Sequence, residues 1–117
     1  MSNVIKPDKK IRVSYFLSEA ILFDVKEKMM KEAYDLKGKS KWVSEAIHEL
    51  LSYQNFGELV MINNQMEGLT KLDSISIDQD LKKKLDAMII DIRKQFPSIE
   101  GVQSKILRTA IVQRLLR

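Results

Sequence analysis

The chain has 117 residues, is 44% hydrophobic, and carries 20 basic against 16 acidic side chains for a formal charge of +4. This is the size and make-up of one globular unit, or of two half-domains sharing a core. With no cysteine, disulfide scaffolds, zinc fingers and thiol catalysis are excluded; no leading signal-type segment and no run of about 18 apolar residues is visible, so a cytoplasmic protein without membrane contact is expected.

Residues 1–9 are polar, contain Pro7, and are expected to form a flexible arm. From Lys10 to Leu17 the residues alternate: Ile11, Val13, Tyr15 and Leu17 share one face of a strand, and Lys10, Arg12, Ser14 and Phe16 share the other. The first set, with two β-branched members, is the expected core side, which turns Arg12, Ser14 and Phe16 outward. Ser18 then suits the cap of a helix opening at Glu19, with Ile21, Leu22, Val25 and Met29 as its apolar stripe. Gly38 is expected just past the end of that helix, and Ser40 as the cap of a second, whose stripe is Val43, Ala46, Ile47, Leu50 and Leu51.

Residues 54–70 form a connector too rich in Phe56, Leu59, Val60, Met61, Ile62 and Met66 for a free linker. An extension of the preceding helix or a short added helix on the core is expected, with a surface for self-association as the alternative and Gly57 and Gly68 as break points. The plan then repeats. Leu72, Ser74 and Ser76 alternate with Asp73, Ile75 and Ile77; Asp78 caps a helix with Leu81, Leu85, Met88, Ile89 and Ile92; and after a longer loop Ser104-Lys105 opens a last helix with Leu107, Ala110, Ile111 and Leu115. A strand this short needs a partner for its ladder groups and a cover for its apolar face, and the second copy supplies both.

The residues Arg12-Val-Ser-Tyr-Phe-Leu-Ser-Glu19, followed by Gly38-Lys-Ser-Lys-Trp-Val-Ser-Glu-Ala-Ile47, resemble the ribbon-helix-helix proteins of the MetJ/Arc superfamily. Two copies in one chain are similar to the tandem forms among TraY- and VirC2-like plasmid proteins and archaeal-virus regulators. The resemblance implies a mainly α fold with a two-stranded antiparallel ribbon, built as a tandem ribbon-helix-helix that forms an intramolecular pseudo-dimer, with units at 10–53 and 71–117. It implies double-stranded DNA as the partner, with the ribbon in the major groove and the helix-two N-termini on phosphates. By position, Arg12, Ser14, Phe16, Leu72, Ser74 and Ser76 would read bases, and Lys39, Ser40, Lys41, Ser104 and Lys105 would hold the backbone. The substitution of Val102 and Gln103 for Gly38 and Lys39 makes the second anchor the weaker expectation.

The function so implied is transcriptional regulation by a viral or plasmid protein, with pseudo-dimers associating on DNA. A relaxosome accessory role at an origin of transfer, or an antitoxin-like helical interaction module using the apolar connector and Ile111, Val112, Leu115 and Leu116, are the alternatives. Taken singly the residues have plainer explanations: Arg12 as a solvated charge, Phe16 as part of a second interface, Trp42 and Tyr15 as core, Lys82 to Lys84 as a solvated helical face, and Ser40 and Ser104 as caps. A lone histidine, His48, and no glycine-rich phosphate loop leave no catalytic set, so no enzyme, cofactor or small-molecule substrate is expected. Asp73, Asp78 and Asp80 could suggest a cation site, but Asp78 is better explained as a cap and Asp80 as a first-turn residue, so no metal is expected.

Overall fold

The computed structural model of the chain describes residues 9–35, 37–62, 69 and 71–117. Its elements follow the order β1 (Ile11–Leu17), α1 (Glu19–Lys31), α2 (Lys39–Leu51), α3 (Phe56–Ile62), β2 (Lys71–Ile77), α4 (Gln79–Gln95) and α5 (Val102–Leu115). The fold is mainly helical with a two-stranded antiparallel sheet. Val13, Tyr15 and Leu17 of β1 and Ile75 and Ile77 of β2 are buried, as the alternation requires, while Arg12, Ser14, Phe16 and Leu72 are exposed.

Helices α1 and α4 begin where their capping residues place them. Ser18 Oγ accepts a hydrogen bond from the Ile21 amide at 3.1 Å, and Asp78 Oδ1 accepts one from Leu81 at 2.8 Å, each satisfying one of the orphan amides of a first turn. The end of α1 differs from expectation. It closes at Ala33, where the Tyr34 amide donates to the Met29 carbonyl at 2.8 Å and the Ala33 amide to Met30 at 3.2 Å, the paired bonds of a Schellman turn. That turn needs a left-handed residue, and Ala33 adopts φ 64°. Gly38 instead stands as the N-cap of α2 with φ −86°. Left-handed backbone suits glycine, as at Gly101 (φ 60°) before α5, but it strains alanine. Ala33→Gly is therefore expected to stabilise the fold by about 0.5–1 kcal/mol, read as a raised urea midpoint at unchanged slope.

Each second helix crosses to the strand of the other copy: α2 packs on β2, α5 packs on β1, and α2 and α5 pack against each other. Trp42, Val43, Ile47, Ile106, Leu107 and Ile111 are fully enclosed there, joined by Val25 and Met29 from α1 and by Leu81, Leu85 and Ile92 from α4. Full burial of each such aliphatic side chain contributes about 1.5–3 kcal/mol, and both copies share this one core. The connector contributes α3, which packs against α4 and α5 with Val60 buried and Phe56 and Leu59 half-buried. Gly57 is not a break point; it is buried inside α3, where a Cβ would meet the Gln95 side chain at 3.2 Å. Residues 1–8, Met66 and Gly68, on which expectations for the arm and connector fell, lie outside the described residues.

Candidate nucleic-acid interface

The register pairs Arg12 with Ser76, Ser14 with Ser74, and Phe16 with Leu72. All six expected base-reading residues thus meet as three cross-strand pairs on one face. The direction of the backbone groups tells which kind of pair they form. Phe16 turns both its amide and its carbonyl away from β2, the amide donating to Ser104 Oγ at 2.8 Å and the carbonyl accepting from Arg108 Nη1 at 3.1 Å. Ser14 accepts from Gln103 Nε2 at 3.0 Å, and on the other strand the Ser76 amide donates to Ser40 Oγ at 3.1 Å. The outward-facing pairs are therefore of the non-hydrogen-bonded type, with opposed side chains in their closest approach, about 4.5 Å between Cα atoms.

These bonds correct the roles expected of the two serines. Neither caps its helix: α2 is opened by Gly38 and α5 by Gly101, and no side chain caps either one. Ser40 and Ser104 stand in the first turns and hold the two ribbon edges, so strand groups that would otherwise lie open are engaged by crossing helices. A serine that accepts a strand N–H keeps its own O–H for a second partner. The residue before each serine also turns to the ribbon, Lys39 Nζ to Asp73 Oδ1 at 2.5 Å and Gln103 to Ser14. The residue after each is left for the outside. Lys41 is exposed and Lys105 half-buried, and neither makes an ion pair among the described residues. The first amides of α2 and α5 have no acceptor within their helices, so each ribbon edge carries a helix N-terminus with one uncommitted lysine.

Asp73 ties β2 to its neighbours from the core side. Tyr15 Oη donates to its Oδ2 at 2.7 Å while Lys39 holds its Oδ1. Burial, and then the hydrogen bond and charge of Asp73, push the Tyr15 phenol well above its ordinary range. The folded chain thus keeps a proton that the unfolded chain releases near pH 10, so the stability tied to this group is whole below that pH and is lost as pH rises beyond it. Between pH 9 and 11 the urea stability of Tyr15→Phe is expected to fall less steeply than that of the parent; parallel curves would refute the assignment.

Three residues beside this ribbon face went unnoticed in the sequence. Gln103 was read only as a replacement for a lysine. Arg93, exposed on α4, lines a groove of about 500 Å³ with Phe16, Leu72, Ile89, Gly101 and Gln103. Arg108 is 3% exposed, its guanidinium donates to Phe16, its Nε has no partner, and no carboxylate among the described residues pairs with it. Burial accordingly lowers its pKa, and its charge lies directly behind one end of the ribbon. Its position within the apolar sequence of α5 gave no sign of this, because an arginine on a helix is ordinarily solvated.

For Trp42, Tyr15, His48 and Lys82 the plainer expectations hold. Trp42 and Tyr15 are core, His48 is exposed, and Lys82 pairs with Asp86 at 2.5 Å on the outer side of α4. Among the described residues no cluster of acidic, histidine or cysteine side chains could hold a metal ion, and no helix is long and apolar enough to cross a membrane. No family model, curated protein or solved structure matches the chain.

Proposed function

We propose that the chain binds double-stranded DNA sequence-specifically, as a single-chain ribbon-helix-helix pseudo-dimer, and acts as a transcriptional regulator in the cytoplasm. The observation that carries this reading is the register that gathers Arg12, Ser14, Phe16, Leu72, Ser74 and Ser76 onto one outward face, with a helix N-terminus on either edge. A two-stranded ribbon has the width of the major groove, where each base pair presents its own set of donors, acceptors and methyl groups. Arginine suits guanine O6 and N7, serine suits a donor or an acceptor, and Phe16 and Leu72 suit a thymine methyl. Lys41, Lys105 and the first amides of α2 and α5 would meet the flanking phosphates, which position the protein without specifying sequence.

The division into units at 10–53 and 71–117 belongs to the same proposal. The crossing of α2 onto β2 and α5 onto β1 supports it, because neither unit covers its own strand alone. The rival protein-interaction module loses support from the C-terminus: Ile111 is in the core and Leu115 half-buried, which leaves only Leu116 of that set exposed.

A nuclease footprint on fragments of the source genome, with Arg12→Ala alongside, tests the reading. The parent is expected to protect a discrete site, and the variant to lose about 1–3 kcal/mol of discrimination between that site and unrelated duplex. Uniform protection by both proteins would reject base reading by Arg12, and no protection in moderate salt would reject DNA as the partner.

A further inference from the structure

The register separates the ribbon face into two ends of unlike chemistry. At one end Arg12 opposes Ser76; at the other Phe16 opposes Leu72, with these two side chains 47% and 66% exposed. In the repeated sequence plan Phe16 occupies the place of Ser76, and Leu72 that of Arg12. An antiparallel pairing centred on Ser14 and Ser74 brings the two apolar residues together and leaves the arginine at the far end. The flanks differ in the same sense. Ser40 and the exposed Lys41 of α2 stand at the Arg12–Ser76 end, and Ser104 and Gln103 of α5, with Arg93, stand at the Phe16–Leu72 end.

We infer that this chain reads a non-palindromic DNA element in one fixed orientation, with guanine beneath Arg12 and thymine methyls beneath the Phe16–Leu72 pair. The inference rests on the DNA-binding reading and adds polarity to it. Phe16 and Leu72 are held in close opposition over the groove, and an exposed pair of large apolar side chains on an otherwise polar ribbon calls for an apolar partner. The major groove offers one such group, the C5-methyl of thymine. Arg12 and Phe16 lie four residues apart on one strand, about 13 Å in extended backbone, which is the rise of about four base pairs. The reversed orientation sets a guanidinium against methyl groups and apolar side chains against guanine O6 and N7, leaving those acceptors desolvated and unpaired.

Selection of duplexes from a random library by the purified chain yields the element, and base analogues then test each end. Uracil in place of thymine at the expected positions removes only the methyl and should weaken binding about fourfold per contact; 7-deazaguanine in place of guanine removes N7 and should weaken it about tenfold. Phe16→Ala should abolish the first response and keep the second, and Arg12→Ala should do the reverse. Because the chain has no cysteine, Lys9→Cys accepts a single tethered cleavage reagent beside the Arg12 end, and cleavage is expected at the guanine flank alone. A palindromic selected element, equal cleavage at both flanks, or indifference to uracil would overturn the inference with DNA binding intact. Failure to enrich any duplex would overturn the DNA-binding reading itself.

Discussion

Arg114→Ala is expected to lower the unfolding free energy by about 2 kcal/mol through the charged hydrogen bonds and ring stacking it removes. Arg114 lies near the end of α5 with its side chain only 12% exposed, and its guanidinium reaches back across the chain to the first copy. It stacks 4.6 Å from the Trp42 ring centre and 5.6 Å from that of Tyr34. Its Nη1 donates to the Trp42 carbonyl at 2.7 Å, its Nη2 donates to Glu32 Oε1 and Tyr34 Oη at 3.1 Å each, and its Nε lies 3.5 Å from Glu49 Oε1. Glu32 also accepts from Trp42 Nε1 at 2.8 Å, and Glu45 accepts from Tyr34 Oη at 2.5 Å. Removing the guanidinium therefore takes the common partner from three carboxylates, Glu32, Glu45 and Glu49, and a main-chain carbonyl, besides the stacking on Trp42. Lysine is not expected to restore the loss, because an ammonium has neither the planar fork nor the stacking face. Urea unfolding of the parent, Arg114→Ala and Arg114→Lys decides this: a loss below about 1 kcal/mol in the alanine variant, or full rescue by lysine, would refute the brace.

Affinity for duplex DNA is expected to fall about 500-fold between 50 and 200 mM salt. This follows if about five phosphates are contacted, since each contact releases condensed counterions and the slope of log affinity against log salt is then near −4 to −5. Under the proposed function, Lys41 and Lys105 at the starts of α2 and α5, together with the two helix N-termini, would supply most of this contact set. Lys41→Ala should weaken all duplexes alike and reduce the slope by about 1, because it removes one positioning contact and no base contact. Titrations at four salt concentrations measure both effects. A slope near zero would point to an apolar protein partner, and a sequence-dependent loss in Lys41→Ala would move that residue from phosphate to base.

Much of the ribbon was legible because its pattern is local. Alternation with a period of two assigns Val13, Tyr15 and Leu17 to one side and Arg12, Ser14 and Phe16 to the other whatever the strand pairs with. Ser18 and Asp78 likewise cap their own helices through bonds that span three residues. The expectations that changed concerned groups with a choice of partner. Ser40 and Ser104 have the composition and place of caps, yet the amides of Ser76 and Phe16 claim their hydroxyls once α2 and α5 cross to opposite strands. Gly38 suited a left-handed helix end, but the chain turned earlier, at Ala33. Arg108 and Arg114 read as ordinary helical arginines, and only packing set one behind the ribbon and the other over Trp42.

The sequence by itself determined the repeated strand-helix-helix plan, the inner and outer faces of each strand, and the six residues of the ribbon face, since each follows from periodicities and caps acting over a few residues. Tertiary structure alone decided the pairing of Phe16 with Leu72, the crossing of each second helix onto the other strand, and the uncompensated charge of Arg108. These join residues 36 to 92 positions apart in the chain, and no local preference specifies such a pairing. It is set by the one arrangement in which both apolar strand faces are covered, both ribbon edges engaged and the two copies close around a single core.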